Sequence, residues 1–184
     1  MPFEEISRRA LMRSALALSP AILEAAQHAH ESVTAQSTRL ESLDRVTAGE
    51  IEAIASAIIP TDETPGAREA GVIYFIDRAL ATFDRSKRAL YKTGLAEVQA
   101  HRKRLFPASL SIAALSASEC DTLLHAVEKT EFFQVVRTHV VTGFLANPSW
   151  GGNRGNAGWK LIGFEEAHSF QPPFGYYDNP ENGQ

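Results

Sequence analysis

Val72, Phe75, Ile76, Ala79, Leu80 and Phe83 recur at i, i+3, i+4, i+7, i+8 and i+11, the period of one buried face of an α-helix. No stretch of the chain alternates apolar and polar residues as a half-buried strand would. Around this stripe the other segments read the same way. Ile51, Ile54, Ala55 and Ile58 share a helical face behind Thr47-Ala48-Gly49-Glu50, a pattern that fits a capping box, and Pro60 stops the run. Residues 85–105 are charged, with Tyr91, Leu95, Val98 and Leu105 on a narrow face, and predict a surface helix. Ser116-Ala117-Ser118-Glu119 gives a second capping box ahead of Leu123, Leu124 and Val127. Residues 131–145 are apolar on most sides, which predicts a central helix, and Asn147-Pro148 ends it. The expected fold is all-α: a compact bundle of about five helices, followed by a long irregular aromatic-rich C-terminal tail.

Four regions follow from this pattern: 1–30, a leader or N-terminal helix; 31–46, a polar linker; 47–146, the helical domain; and 147–184, a Gly/aromatic-rich tail. The tail holds seven of the sixteen aromatic residues: Trp150, Trp159, Phe164, Phe170, Phe174, Tyr176 and Tyr177. Each such ring offers about 150–250 Å² for burial, so a tail of this kind is expected to pack on its own domain, on a partner, or on both. Trp150, Asn153, Arg154, Trp159, Phe164, Phe174, Tyr176 and Tyr177 are the candidate partner contacts, because aromatic and arginine side chains are the usual anchors of interfaces. Pro172-Pro173 would pre-extend the last segment and reduce its ordering cost. At the other end, Arg8-Arg9 precedes a modest apolar stretch, residues 15–26, in the manner of a twin-arginine export signal. Arg13, Pro20 and Glu24 interrupt that pattern, and an amphipathic N-terminal helix is the competing reading.

Composition narrows the chemistry. The net charge is −4 and the one basic run is Arg102-Lys103-Arg104, so nucleic-acid binding has little electrostatic support. Cys120 is the single cysteine, which leaves no intramolecular disulfide or multi-cysteine metal site. His101, His125, His139 and His168 are dispersed, without metal-ligand spacing. Gly152, Gly155 and Gly158 belong to neither a P-loop nor a dinucleotide fingerprint, since no Gly-Lys-Ser/Thr follows and no strand precedes. They predict a tight loop with positive φ or close backbone approach. Asp62 and Glu63 are adjacent acids, but sequence neighbours rarely converge on one substrate atom; a turn cap is the simpler role. The residues themselves describe no active site, no cofactor cradle and no metal site.

Taken together, several segments resemble the gluconate 2-dehydrogenase subunit 3 family. They are Ile59-Pro60-Thr61-Asp62-Glu63-Thr64-Pro65-Gly66-Ala67, Ala70-Gly71-Val72 with Phe75-Ile76-Asp77, and Phe132-Phe133 with Arg137-Thr138-His139. Gly151-Gly152-Asn153-Arg154 and Gly158-Trp159-Lys160-Leu161-Ile162-Gly163-Phe164 complete the set. The resemblance implies a small subunit without an active site of its own. It accompanies a large glucose–methanol–choline-type flavoprotein that carries FAD and oxidises gluconate, glucose or a glucoside, with a cytochrome c subunit as a common electron acceptor. It also implies that Arg8 and Arg9 belong to an export signal serving both subunits, and hence a location in the periplasm, free or at the membrane. Two other readings stay open: a stand-alone enzyme using Asp62, Glu63 and His139, and a membrane tether through residues 6–26.

Overall fold

The computed structural model describes residues 38–167. The leader with Arg8 and Arg9, residues 31–37 of the linker, and Phe170, Pro172, Pro173, Phe174, Tyr176 and Tyr177 lie outside the described residues. From Leu40 onward the described residues form six α-helices and no strand: α1 (Arg45–Ile58), α2 (Val72–Ala81), α3 (Arg88–Leu105), α4 (Ala117–Val127), α5 (Glu131–Leu145) and α6 (Ala157–Leu161). The expected all-α class holds. No helix among the described residues is long and apolar enough to cross a membrane.

α5 is central. It packs against α1, α2, α3 and α6, burying Phe132, Val136, Val140 and Phe144 against Ile51, Ile76, Leu80 and their neighbours. Its ends coincide with those expected from sequence, and the Thr130 hydroxyl accepts from the Phe133 amide at its start. The stripe on α2 is buried from Val72 to Leu80. Phe83 departs from the expectation: α2 ends at Ala81, so this ring sits beyond the helix and is 58 % exposed.

α1 begins three residues earlier than its apparent capping box predicts. Asp44 is the cap, accepting from the Val46 and Thr47 amides. Glu50, the expected reciprocal partner of Thr47, is buried and accepts instead from the Ile112 amide at 2.7 Å. The box at Ser116 and Glu119 forms as expected, with both reciprocal bonds present.

The end of the polar linker is fixed to the core. Asp77 on α2, 1 % exposed, accepts from three consecutive amides: Glu41 at 2.7 Å, Ser42 at 2.9 Å and Leu43 at 2.7 Å. A buried carboxylate needs this degree of satisfaction, because an unpaired charge in the interior is strongly disfavoured.

Candidate functional site

The segment from Asn147 to Phe164 is a built loop. Ala146 leaves α5 in extended conformation, and the Asn147 side chain accepts from the Ser149 amide, opening a single 3₁₀ turn at Pro148–Trp150. Gly151 then takes φ 105°, a left-handed value that disfavours a side chain. Gly152 sits so close to α5 that an added Cβ would lie 2.1 Å from the Gly143 carbonyl oxygen. The tail was expected to carry no helix, yet a second 3₁₀ turn at Arg154–Asn156 leads into the five-residue α6.

Asn153 organises this loop from inside. It is 0 % exposed and takes φ 47°, a left-handed conformation that asparagine tolerates better than most residues. Its Nδ2 donates to the Ala146 carbonyl at 2.9 Å, and its Oδ1 accepts from the Gly158 amide at 2.8 Å. One side chain thus satisfies the exposed end of α5 and the free first turn of α6. Trp159 is likewise turned inward: 8 % exposed, with its indole N–H donating to the Leu145 carbonyl at 2.8 Å. As folded here, both candidate contacts face the chain's own interior. Their burial is enforced by the two carbonyls that α5 would otherwise leave without donors.

Two arginines clasp the loop to α2. The Arg154 amide donates to the Ala70 carbonyl, and its guanidinium lies 3.8 Å over the Tyr74 ring, a cation–π geometry. Burial lowers the pKa of that guanidinium, which nevertheless stays charged at physiological pH. The Arg78 Nη1 donates to the Ser149 carbonyl at 3.1 Å.

Outward, the loop presents rings. Trp150 is 51 % exposed and meets Phe83 edge-on, centroids 5.9 Å apart, with Phe75 behind at 6.3 Å from Phe83. Phe164 is about half exposed and packs on Trp159 at 5.0 Å. Leu161 and Ile162 are also exposed. Sequence reasoning missed Phe83 as Trp150's partner, because its position in the stripe pointed to the core. It also missed Tyr74 and Arg78, which belong to α2 and meet the loop only through tertiary packing.

The acid–base candidates do not form one constellation. Asp62 is exposed and its Oδ1 accepts from the Thr64 amide and hydroxyl; these bonds hold its carboxyl below the ordinary range. Glu63 is exposed on the same turn. His139 is buried in α5 between two other partners: Tyr91 Oη lies 2.8 Å from Nδ1 and Asp84 Oδ2 lies 2.8 Å from Nε2. Burial, then the charge of Asp84, pushes the Tyr91 phenol well above its ordinary value, so Tyr91 stays protonated, and with Asp84 it occupies both ring nitrogens of His139. Burial also raises the Cys120 thiol, which favours the unreactive neutral form. Among the described residues no cluster of three or more His, Cys, Asp or Glu could hold a metal ion.

The family model for gluconate 2-dehydrogenase subunit 3 matches residues 48–165, from the first turn of α1 through the clasped loop to Phe164. The chain belongs to that family. The subunit 3 match and the six helices cover nearly the same stretch. Subunit 3 is by its name one component of a multi-subunit dehydrogenase. No match was found among curated proteins or among solved structures.

Proposed function

We propose that this subunit 3 protein is the non-catalytic small subunit of an exported sugar dehydrogenase. It stabilises a large glucose–methanol–choline-type subunit that carries the FAD, and supplies the twin-arginine signal through Arg8 and Arg9. The oxidised sugar would be gluconate, glucose or a glucoside, the location the periplasm, free or at the membrane, and a cytochrome c subunit a further partner.

The observation that carries this reading is the half-exposed Phe83–Trp150 pair, with Trp150 on the loop clasped by Arg78 and Arg154 and Phe83 just past the end of α2. A fold that displays two large rings side by side bears the cost of exposing them, and interface anchors of this kind are aromatic. With Phe164, the three rings leave on the order of 300 Å² open to a partner, taking half of each ring's area. A typical interface buries about 800 Å² per side, so these rings are scaled to be its centre. The internal satisfaction of Asp62 and His139 supports a role without chemistry of its own.

Co-expression of the full chain with a glucose–methanol–choline-type flavoprotein from the same genome tests the proposal. The two should co-purify with FAD on the large subunit, and the paired change Phe83→Ser and Trp150→Ala should abolish co-purification while leaving the helical spectrum unchanged. Retained assembly in that variant would remove the docking argument. Sugar turnover by the chain alone would remove the non-catalytic one.

A further inference from the structure

A cavity of about 540 Å³ lies between α1 and α3, away from the clasped loop. Its size falls in the range of small-molecule sites, about 300–1,000 Å³. The α3 side is one helical stripe, Arg88, Tyr91, Lys92, Leu95, Ala96 and Gln99, at i, i+3, i+4, i+7, i+8 and i+11. Val46, Leu95 and Ala96 line it with apolar side chains above the buried Leu80 and Tyr91, and Leu43 adds to the wall. That wall is held in place, because Ser42 and Leu43 are among the residues whose amides Asp77 grips.

The rim carries four charges whose situations differ. Asp44 is engaged by the Val46 and Thr47 amides and the Thr47 hydroxyl. Glu50 is engaged by the Ile112 amide. The two cations, Arg88 and Lys92, stand one turn apart, and among the described residues neither pairs with a carboxylate. Arg88 uses its Nε on the Leu80 carbonyl, which fixes the side chain and leaves its terminal nitrogens for another acceptor. The four charges balance, but Asp44 and Glu50 turn acceptor oxygens to local donors, whereas Lys92 and the Arg88 terminal nitrogens keep N–H donors for an anionic group of a ligand.

We propose that this cavity binds a single-chain anionic amphiphile, a long-chain carboxylate, with the alkyl chain along Leu43, Val46, Leu95 and Ala96 and the head group on Arg88 and Lys92. An apolar lining with a cationic pair at its edge matches a molecule that is apolar along its length and anionic at one end.

Dodecanoate titrated into the full chain by calorimetry tests the assignment, with dodecanol as the uncharged comparator. Dodecanoate should bind saturably at one site, at least tenfold tighter than dodecanol. Ala96→Trp places an indole in the cavity from an exposed position and should abolish binding of both probes. The paired change Arg88→Glu and Lys92→Glu should weaken dodecanoate at least tenfold and leave dodecanol within about twofold, with an unchanged thermal transition as the folding control. Absence of saturable binding, equal affinity for the two probes, or unaltered binding in Ala96→Trp would each overturn the assignment.

Discussion

Gly158→Ala asks whether the contact between α6 and the end of α5 is as close as described. On propensity alone the change should help, since alanine is favoured over glycine inside a helix by at most about 1 kcal/mol. The structure gives the opposite sign. A Cβ at position 158 would lie 2.0 Å from the Phe144 carbonyl oxygen and 2.9 Å from its carbon, and a backbone carbonyl cannot rotate aside as a side chain can. α6 must move outward, which stretches the bond between the Gly158 amide and Asn153 Oδ1 and the bond between the Trp159 indole and the Leu145 carbonyl. Overpacking costs about 1–3 kcal/mol, and each buried polar group left unsatisfied about 1–3 kcal/mol. Because the two bonds are stretched rather than lost outright, the expected loss, with the propensity gain subtracted, lies at the low end of that sum, about 2–4 kcal/mol, or roughly 5–15 °C in Tm for a chain of this size. Gly49→Ala is the matched control. Gly49 lies within α1 with nothing within 4 Å of an added Cβ, so the same substitution should stabilise by about 0.5–1 kcal/mol. Thermal and urea unfolding of both variants measure the difference. If Gly158→Ala unfolds at or above the temperature of the unaltered chain, the described approach of α6 to α5 is wrong.

Asn153→Ala removes both bonds that join Ala146 to Gly158 and places alanine at positive φ; urea unfolding should show a loss of about 2–4 kcal/mol. Tyr91→Phe keeps the ring edge-on to Phe132 but strands the Nδ1 of His139, and should cost about 1–2 kcal/mol by the same measurement. His125 is exposed between Glu128 and Asp121; the hydrogen bond to Glu128, then the two carboxylate charges, raise its pKa above the ordinary 6.5. Its protonated form therefore stabilises the fold fully below the unfolded value, and that stabilisation fades as pH rises through the raised folded value. Imidazole proton shifts should show a midpoint above 6.5, and His125→Gln should flatten the pH dependence of Tm over that interval.

Legibility from sequence tracked how local the determining contacts are. α5 could be read to the residue, because its apolar density and the Asn147-Pro148 stop lie within the segment itself. The start of α1 could not. Thr47 and Glu50 satisfy the capping pattern, but Glu50 is drawn away by the Ile112 amide, 62 positions along the chain. α6 was hidden because five residues are too few to show a period, and what makes it helical is a side chain of the preceding turn. Phe83 continued an apolar stripe past the point where its helix stops. The family was legible from the spacing of several short segments, and the match over residues 48–165 bears it out. At the loop, the glycines' roles were legible as positive φ and close approach. Which of Trp150, Asn153, Arg154 and Trp159 face outward was not, since that depends on the positions of the carbonyls at the end of α5. Nothing described bears on Phe174, Tyr176, Tyr177, Arg8 or Arg9.

The carboxylate of Asp77 takes hold of amides, a group that every residue except proline supplies. Positions 41 and 42 are therefore free to drift in identity, while position 77 is not and position 43 must stay apolar to pack on the core. An engineer replacing residues 1–39 would need to keep Leu40, Leu43 and the spacing into Asp44, with proline out of positions 41–43, for the graft to seat itself.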